Sequence, residues 1–381
     1  MAEYLTNTTD LTLVADAIRT KGGTTELLTY PDEFVTAIHA IQTGPELQII
    51  VTVTSGATVT ATKGSLSVSG TSVNGTCTLA VPETGTWSVS ATLGGQTSNT
   101  KTVSITTSYS LTLSFVSSTL NNNEWSVIKS VSDAGQGANY WSIGDRKAVT
   151  LNGTVGHLSL SNYTTYAFII GFNHNASVEG ANRIHFQLAK TALSGGKDVA
   201  LCDSKYNSTV STTGYFSMNS SATNSGGWKS SQMRTKICGT SLSSYSGTII
   251  AVIPAALRAV LKSVTKYTNN TGETTSASAV TTTTDYFFLL SEFEVFGSIS
   301  YANTNEKSKQ AQYAYYSAGN SKIKYKHNGT STAANWWLRS PTASSSASFV
   351  GVSAGTPLVA GGTVSASSSI YSNGFAPGFC V

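Results

Sequence analysis

Residues 46–108 alternate apolar and polar side chains with a period of two, and this pattern constrains the fold more than any other feature of the chain. The alternation is clearest in five short runs, at 49–53, 57–61, 77–81, 87–91 and 102–105. Turn-forming pairs such as Asn74-Gly75 and Gly94-Gly95 separate the runs. Since successive side chains of a strand point to opposite faces, each run predicts a strand with one buried face. Short strands at this spacing predict a small β-sandwich over residues 45–108.

The first 44 residues carry a different periodicity, which predicts two short helices. Apolar residues recur there at three- and four-residue spacing, as Leu11, Val14 and Ile18 in one segment and Phe34, Ile38 and Ile41 in the other. Thr9-Asp10 is a suitable N-cap for the first helix, and Pro31 is suited to the start of the second. Two helices this short cannot bury both apolar stripes alone, so residues 1–44 are expected to dock on a partner or to self-associate.

The composition of the chain predicts that β-structure dominates it. Charged residues make up 11% of the sequence, against about 25% in typical domains, while hydrophobic residues make up 40%. Ser and Thr replace the missing charges and favour strands and turns over helix interiors. Residues 109–381 are expected to form one large α+β domain with few helices, at 230–237 and 254–262, and with a buried strand followed by an acidic turn at 285–296. The predicted fold class is therefore a β-rich, multidomain α+β protein.

Several functional classes have little support in the sequence. The net charge of +4 comes from scattered Lys and Arg, which argues against nucleic-acid binding. The four cysteines are far apart and lack CxxC spacing, so we expect buried small hydrophobic side chains rather than a zinc site or a dense disulfide framework. Residues 1–4 lack the basic start of a secretory signal. The sequence also contains no run of about 18 apolar residues, so no membrane-spanning helix is expected.

The C-terminal segment, residues 340–381, contains no Asp, Glu, Lys or Arg. Two clusters enclose it, N-W-W-L-R-S-P at 335–341 and F-A-P-G-F-C-V at 375–381. We expect Trp336, Trp337 and Phe379 to lie in the core, and Arg339 to pair with a carboxylate or to cap backbone carbonyls. These four residues are called the structural frame below. Large anchors around an uncharged middle suggest a fixed scaffold that presents a variable surface, which is typical of a binding protein rather than an enzyme.

The candidate ligand-binding residues lie between the two clusters. Large side chains with small neighbours are typical of binding hot spots. The candidate anchors are Phe349, Leu358, Ile370 and Tyr371. The candidate adaptable surround is Thr342, Ser345, Ala347, Ser348, Gly351, Ser353, Thr356, Ser367 and Ser369. Phe349 has an alternative place in the core, because it alternates with Val350 and Val352 in a predicted strand.

Catalytic motifs are weak. The segment 351–355 matches G-x-S-x-G, but no acidic residue and no histidine follows Ser353, as that class of hydrolase requires. The histidines His157, His174 and His185 lack the spacing of metal ligands. Glu292 and Glu294 would point to opposite faces of a strand and could not act as a glycosidase pair. The sequence therefore predicts no catalytic residues, no metal and no cofactor.

A resemblance to a known family rests on an ordered set of motifs across about residues 120–381. The motifs are Trp125, Y-W-S-I-G-D at 140–145, I-G-F-N-H at 170–174, G-G-W at 226–228 with Met233-Arg234, F-L-L-S at 288–291 with Glu294-Val295, and the two C-terminal clusters. In these motifs the chain resembles a bacterial and phage family with a C-type-lectin-like fold, related to formylglycine-generating enzymes. That family includes the variable proteins of diversity-generating retroelements. The resemblance implies a C-type-lectin-like domain at 109–381 with a variable region at about 342–372. The cysteines lack the local motif of the copper ligands of formylglycine-generating enzymes, so kinship of fold without catalysis is expected.

Two further resemblances concern the N-terminal half. A-D-A-I-R-x-K-G-G-T at 15–24 and Y-P-D-x-F-x-x-A-I at 30–38 resemble the start of phage tail and receptor-binding proteins from Gram-positive hosts. The alternating segment at 45–108 resembles bacterial Ig-like spacer domains. These likenesses imply a helical attachment or oligomerisation module at 1–44 and an Ig-like β-sandwich at 45–108.

The genetic code offers a check on diversification. In such retroelements, as the resemblance implies, template adenines are randomised chiefly in Asn codons, so Lys, Gln, Glu, Met and Trp cannot arise at those positions. Residues 342–372 contain none of the five and no Asn. These absences fit diversification, and they also fit a loop rich in Ser, Ala and Gly by chance. Both interpretations stay open.

The sequence thus predicts a phage tail receptor-binding protein, located in the virion and acting outside the cell. Its expected partners are a bacterial surface protein or polysaccharide, other phage tail proteins through the N-terminal module, and further copies of itself in a homotrimer. Neither nucleic-acid binding nor membrane insertion is expected. The alternative is a bacterial cell-surface or secreted adhesin, and less favoured is an enzyme of the formylglycine-generating type.

Overall fold

A computed structural model of the chain describes residues 8–22, 25–40, 47–356 and 360–381. It is rich in β-structure with short helices, which confirms the predicted α+β class. The helices are α1 Thr8–Gly22, α2 Asp32–Ala40, α3 Trp125–Asp133, α4 Gly137–Tyr140, α5 Ala176–Glu179, α6 Gly227–Ser230, α7 Ile249–Val252, α8 Ala255–Arg258, α9 Glu292–Phe296 and α10 Ala314–Ser317. No helix within these ranges is long and apolar enough to cross a membrane.

The strands fall into several small sheets. They are β1 Gln48–Thr52, β2 Thr58–Lys63, β3 Leu66–Thr71, β4 Thr76–Ala80, β5 Gly85–Leu93, β6 Gln96–Thr97, β7 Lys101–Ile105, β8 Tyr109–Thr112, β9 Arg146–Val155, β10 Leu158–Phe172, β11 Ile184–Lys190, β12 Val199–Ala200, β13 Val264–Asn269, β14 Val280–Asp285, β15 Phe287–Phe288, β16 Lys324–Lys326, β17 Gly329–Ala334, β18 Trp336–Pro341, β19 Ser348–Val352, β20 Val364–Ser368 and β21 Gly378–Cys380.

The chain divides into two compact units. The first contains the residues up to Gly95 together with Thr100–Leu113, and the second contains Gln96–Asn99 together with Ser114–Val381. Strand β8 belongs to the first unit, where it pairs in parallel with β1. The predicted boundary between residues 108 and 109 therefore lies a few residues too early, because the first unit also includes β8.

In the N-terminal helices, the apolar stripes are only partly covered. Ala15, Ile18 and Phe34 form a small buried cluster between α1 and α2. Val14 and Ile38 each remain 49% exposed, and Ile41 lies outside the described residues. Each stripe therefore keeps an exposed part.

The five strands predicted from the alternation at 46–108 are confirmed as β1, β2, β4, β5 and β7. They form two sheets, one in the order β4-β1-β8 and one in the order β3-β2-β5, with β7 also pairing β5. Burial alternates along the strands, as in β5, where Trp87, Val89 and Ala91 are buried between more exposed neighbours. Strand β3 was missed because most of its side chains are exposed and its short apolar pattern contains Gly70.

The second unit is built around a five-stranded sheet in the order β15-β21-β11-β10-β9. The C-terminal strand β21 lies inside this sheet and pairs antiparallel with both β11 and β15. Its Phe379 stacks on Phe186, with ring centroids 5.3 Å apart, and contacts Phe287 at 5.2 Å. The C-terminal strand is thus part of the core, which confirms the predicted core position of Phe379.

A second sheet of this unit, in the order β18-β19-β20, carries the other frame residues. Trp336 and Trp337 are fully buried. Their indole N–H groups donate to the backbone carbonyls of Lys322 and Phe216, at 2.9 Å each. Each bulky ring therefore fills the core and also satisfies its one polar atom.

Three local predictions in this unit are wrong in detail. The helix expected at 230–237 is instead the short α6 followed by a π-helical turn, Met233–Cys238. The helix expected at 254–262 is reduced to α8. The acidic turn expected at the end of 285–296 is the helix α9, which begins with a capping box between Ser291 and Glu294. The S-x-x-E signal for that helix start was present in the sequence.

Candidate ligand-binding site

The sheet β18-β19-β20 and its loops place most of the predicted contact residues at or near the surface. Strand β20 is the outer strand of this sheet, and all of its side chains are partly or fully exposed. Tyr371, three residues after the end of this strand, is 37% exposed. The predicted residues with partial or full exposure are Ser345, Ala347, Ser348, Ser353, Thr356, Ser367, Ile370 and Tyr371. These residues are called the C-terminal face below.

Four predicted contact residues are buried, and their assignment to the surface is corrected. They are Thr342, Phe349, Gly351 and Ser369. Phe349 and Gly351 lie in β19, which is the middle strand of the sheet and is covered on both faces. The alternative core position of Phe349 is thus the correct one. Leu358 lies outside the described residues.

The hydroxyls of the other two buried residues support the backbone. Thr342 Oγ1 donates to the carbonyls of Ser345 and Ser348, at 3.0 Å each. Ser369 Oγ donates to Ser221 O at 2.9 Å and accepts from Thr223 N–H at 3.0 Å. Both hydroxyls therefore form hydrogen bonds that hold the loops of the C-terminal face in place.

The turn between β18 and β19 is held by a residue far away in the chain. Buried Asn224 donates its side-chain amide to the carbonyls of Thr342, Ser345 and Ser348, at 3.1, 2.7 and 3.0 Å. Its backbone N–H donates to Ser346 O at 2.6 Å. One side chain thus fixes the conformation of the whole turn. Sequence reasoning missed Asn224, because an Asn in a Ser-rich loop carries no local sign of this role.

Replacing Asn224 by Asp is expected to lower the free energy of unfolding by about 2 kcal/mol. The substitution keeps the shape but turns the donor into a carboxylate that faces three carbonyl oxygens. Urea denaturation measures the loss, and amide hydrogen exchange at 342–348 should accelerate more than in β21. The same change at exposed Asn328 is the matched control, with an effect within about 0.5 kcal/mol. Equal stability of the two variants would show that Asn224 does not hold the turn.

A second polar residue fixes the other end of the C-terminal face. Buried Asp203 accepts from the backbone N–H of Lys205 at 2.8 Å and of Phe216 at 2.5 Å. It also accepts from Ser372 Oγ, 2.8 Å from each carboxylate oxygen. The segment after β20 is therefore tied to the loop that follows residue 203. Sequence reasoning missed this residue as well.

In strand β18, Arg339 pairs with a carboxylate and also caps a carbonyl, so its predicted role is confirmed. Its guanidinium binds Glu294 in a bidentate manner, at 2.5 and 2.8 Å, and donates to Leu289 O at 2.9 Å. Its Nε donates to Thr268 Oγ1 at 2.7 Å. Arg339 and Glu294 are both fully buried, so this pair is part of the core and is out of reach of a ligand.

The ion pair continues into a larger buried cluster. Lys266 Nζ donates to Glu294 Oε1 at 3.0 Å, to Glu179 Oε2 at 2.6 Å and to Tyr313 Oη at 2.8 Å. Two histidines complete the cluster. His174 Nε2 lies 3.7 Å from Glu179, and His185 Nδ1 lies 3.1 Å from Tyr313 Oη. Two cations and two carboxylates balance one another when both histidines are neutral.

Within the described residues, His174, Glu179 and Glu294 come close enough together to suggest a metal centre. One ligand atom from each lies within 4.8 Å of the others, and all three residues are buried. The ammonium of Lys266, however, already contacts both carboxylates, and Arg339 contacts one of them. A metal ion would be repelled by both cations at short range. The arrangement therefore favours a structural ion cluster over a metal site.

The pKa values in the cluster reflect its burial and its cations. Burial, assisted by Lys266, lowers the pKa of His174 from 6.5 to about 3. Burial raises the pKa of Glu179 from 4.5 to about 7, although Lys266 acts in the opposite direction. Burial alone would also raise the pKa of Glu294, but Arg339 and Lys266 hold it well below its usual range. Glu294 therefore stays ionised, and the histidines stay neutral at pH 7.

The prediction that Glu292 and Glu294 point to opposite faces of a strand is wrong. Glu292 and Glu294 lie on helix α9 and not on alternate faces of a strand. Both are buried and fully engaged in structural contacts. Glu292 accepts from the backbone N–H groups of Ser300 at 2.5 Å and of Ala302 at 2.7 Å. Both carboxylates therefore stabilise the fold through these hydrogen bonds and are not free to contact a substrate.

All four cysteines are buried and free, and their burial confirms the prediction that they are small buried side chains. Cys202 and Cys380 lie in the second unit, and burial raises the pKa of each thiol to about 12. A thiol that stays protonated at pH 7 is a poor nucleophile and a poor metal ligand. These residues therefore act as packing groups.

Comparison with known proteins adds one finding. Residues 204–381 match the model of a family described as a domain of unknown function, DUF6273. The matched part contains β13–β21, α9 and the whole C-terminal face. No curated protein and no solved structure significantly matches the chain.

Proposed function

We propose that the chain is a phage tail receptor-binding protein that binds a bacterial surface ligand non-covalently through its C-terminal face. The observation that carries this proposal is the construction of that face. Small, uncharged and partly exposed side chains lie on loops that buried residues hold rigidly, with Asn224 and Asp203 at the two ends and the frame below. A preorganised surface of this kind limits the ordering entropy lost on binding.

The chemistry of the face favours binding over catalysis. No charged residue occurs from Ser340 to Val381, and the ionisable cluster beneath it is buried. Affinity there must come from shape, apolar contacts and hydroxyl hydrogen bonds. Binding should consequently depend only weakly on salt concentration.

The remaining parts of the proposal rest on the sequence resemblances and on the exposed helices. In this proposal the second unit is a C-type-lectin-like domain, β1–β8 form an Ig-like spacer, and α1 and α2 attach the protein to the phage tail as a homotrimer. Leu13 on α1 and Val35 on α2 are 63% and 49% exposed, and Leu27 in the segment between the helices is 86% exposed, which supports a protein contact for this module. Trimerisation would convert weak single-site contacts into avid attachment.

Changing Ile370 and Tyr371 together to Ala is expected to weaken binding of the labelled chain to Gram-positive cells at least tenfold. Both residues follow β20 on the C-terminal face, and Tyr371 is the large apolar residue most exposed there among the described residues. Removal of a central aromatic anchor typically costs about 2 kcal/mol or more. Flow cytometry over a panel of strains measures the binding.

The matched control is Leu193→Ala, which removes a side chain of similar exposure (45%) from another loop of the same unit. This variant should bind as the wild type does. Unchanged binding by the double variant with an intact fold would refute the placement of the site. Absence of binding by the wild-type chain to every strain would count against the proposed function itself.

A further inference from the structure

We propose that the open edge of strand β20 binds an extended polypeptide segment of the ligand by β-strand addition. This inference rests on the proposed function and deepens it, because it selects a surface protein over a polysaccharide as the ligand.

Hydrogen bonds at the two ends of β20 determine which of its residues face β19. Ser353 N–H donates to Thr363 O at 2.8 Å, and Ser369 N–H donates to Ala347 O at 2.8 Å. In an antiparallel pair the residues alternate in direction. Ser365 and Ser367, opposite Gly351 and Phe349, therefore turn their backbone groups toward β19.

The intervening residues of β20 direct their backbone groups to the outer edge. These residues are Val364, Ala366 and Ser368. Ser368 O accepts from Tyr371 N–H at 3.0 Å. Within the described part of the chain, the N–H and C=O groups of Val364 and Ala366 and the N–H of Ser368 have no hydrogen-bond partner. They form a row of donors and acceptors with the spacing of a β-ladder.

This edge lacks the features that normally protect a sheet from pairing. Natural edge strands carry charged side chains, proline or bulges. Strand β20 reads V-S-A-S-S and pairs with β19 in unbroken register over its five residues. Ala366, at its centre, is exposed. An uncharged, regular and accessible edge is the surface that an extended peptide requires.

The pattern of groups also discriminates between ligand classes. An extended peptide presents N–H and C=O groups at the same alternating spacing, and pockets beside the strand can select its alternate side chains. A polysaccharide presents hydroxyls without this repeat. Phe349 and Asn224 hold the neighbouring strand and turn in place, so the edge is ready for pairing before the ligand arrives.

The sharpest test is Ala366→Pro. Ala366 N–H has no partner in the described structure, so proline removes an outward donor without breaking the β19–β20 ladder. Proline is tolerated in edge strands, and it favours the extended conformation that Ser365 already has. Ala366→Val is the matched control, because it changes the side chain and keeps the backbone donor. Circular dichroism and thermal unfolding check that both variants fold.

The probe is a displayed library of random linear peptides, selected against the immobilised full-length chain. The selected peptides should bind the wild type and Ala366→Val within about threefold of each other, and bind Ala366→Pro at least tenfold more weakly. On the wild-type chain, N-methylation of alternate peptide amides should abolish binding in one register and leave it unchanged in the other. This second measurement needs no variant of the protein.

Any of three results would overturn the proposal. The first is that no peptide is enriched above a bare surface, and the second is that the selected peptides bind Ala366→Pro as tightly as the wild type. The third is that the proline substitution reduces only the self-association of this chain and leaves peptide binding unchanged. Cell binding separates this inference from the proposed function. If wild type and Ala366→Pro bind cells equally, strand addition fails and the receptor-binding function stands. If no strain is bound while peptides still require the edge, the proposed function fails and strand addition stands.

Discussion

Replacing Arg339 by Met is expected to lower the free energy of unfolding by about 3–5 kcal/mol. The fully buried guanidinium neutralises Glu294 and donates to Leu289 O and Thr268 Oγ1. Met fills a similar volume, but it leaves a buried carboxylate with Lys266 as its remaining cation, and that lysine is shared with Glu179. Urea denaturation followed by tryptophan fluorescence measures the change, since Trp336 and Trp337 adjoin Arg339 in β18.

The double variant Arg339→Met/Glu294→Met is the decisive companion. Removal of both charges leaves Lys266 and Glu179 as a balanced pair, so the double variant should be clearly more stable than the sum of the two single changes predicts. Lys307→Met, at an exposed position, is the control and should change stability by about 0.5 kcal/mol or less. A loss below about 1 kcal/mol for Arg339→Met would contradict a structural role for the pair.

The sequence predicted the local structure best where a strand is buried on one face. In β5, the alternation of Trp87, Val89 and Ala91 with Ser and Thr is a local consequence of burial, so it is readable from the chain alone. In β19 both faces are covered, and the alternation disappears. The sequence therefore offered the core position of Phe349 only as an alternative and assigned Gly351 to the surface, although both residues are buried.

The frame could be predicted because large aromatic rings and a lone arginine have few places in an uncharged segment. Arg339 needed a partner, and the chain offers Glu294 at 45 residues' separation. The supports of the C-terminal face could not be predicted in this way. Asn224 lies 118 to 124 residues before the carbonyls it holds, and Asp203 lies 169 residues before Ser372. Such contacts arise from the packing of the whole unit, and an Asn or Asp in a polar loop gives no local sign of them.

Replacing His174 by Phe is expected to make the protein more resistant to acid while changing its stability at pH 7 little. The pKa of His174 falls from 6.5 to about 3 in the folded protein, chiefly through burial and then through Lys266. At pH values between these two pKa values, His174 is protonated in the unfolded chain and neutral in the folded protein. The stability that neutral His174 contributes is therefore complete above pH 6.5 and is lost as the pH falls toward 3, by up to about 1.4 kcal/mol per pH unit.

Phe should be accommodated at pH 7 because the His174 ring stacks on Tyr313, with centroids 3.7 Å apart and planes at 17°. His174 Nε2 is buried and has no hydrogen-bond partner among the described residues, so its loss breaks no bond. His174→Gln, which cannot titrate but does not stack, is the companion that separates protonation from packing. Urea denaturation between pH 7 and pH 4 measures all three proteins.

The difference between wild type and His174→Phe reports mainly on this one histidine, because His174 is only a lesser cause of the lowered pKa of His185. Glu179, with a pKa raised from 4.5 to about 7 mainly by burial, acts in the opposite direction, since the stability it contributes is lost as the pH rises through that window. Burial also lowers the pKa of His185, which remains in both proteins. Both variants should therefore lose less stability than the wild type between pH 6.5 and pH 4, yet neither should become independent of pH. Parallel curves for all three proteins would mean that His174 is protonated as easily in the folded protein as in the unfolded chain.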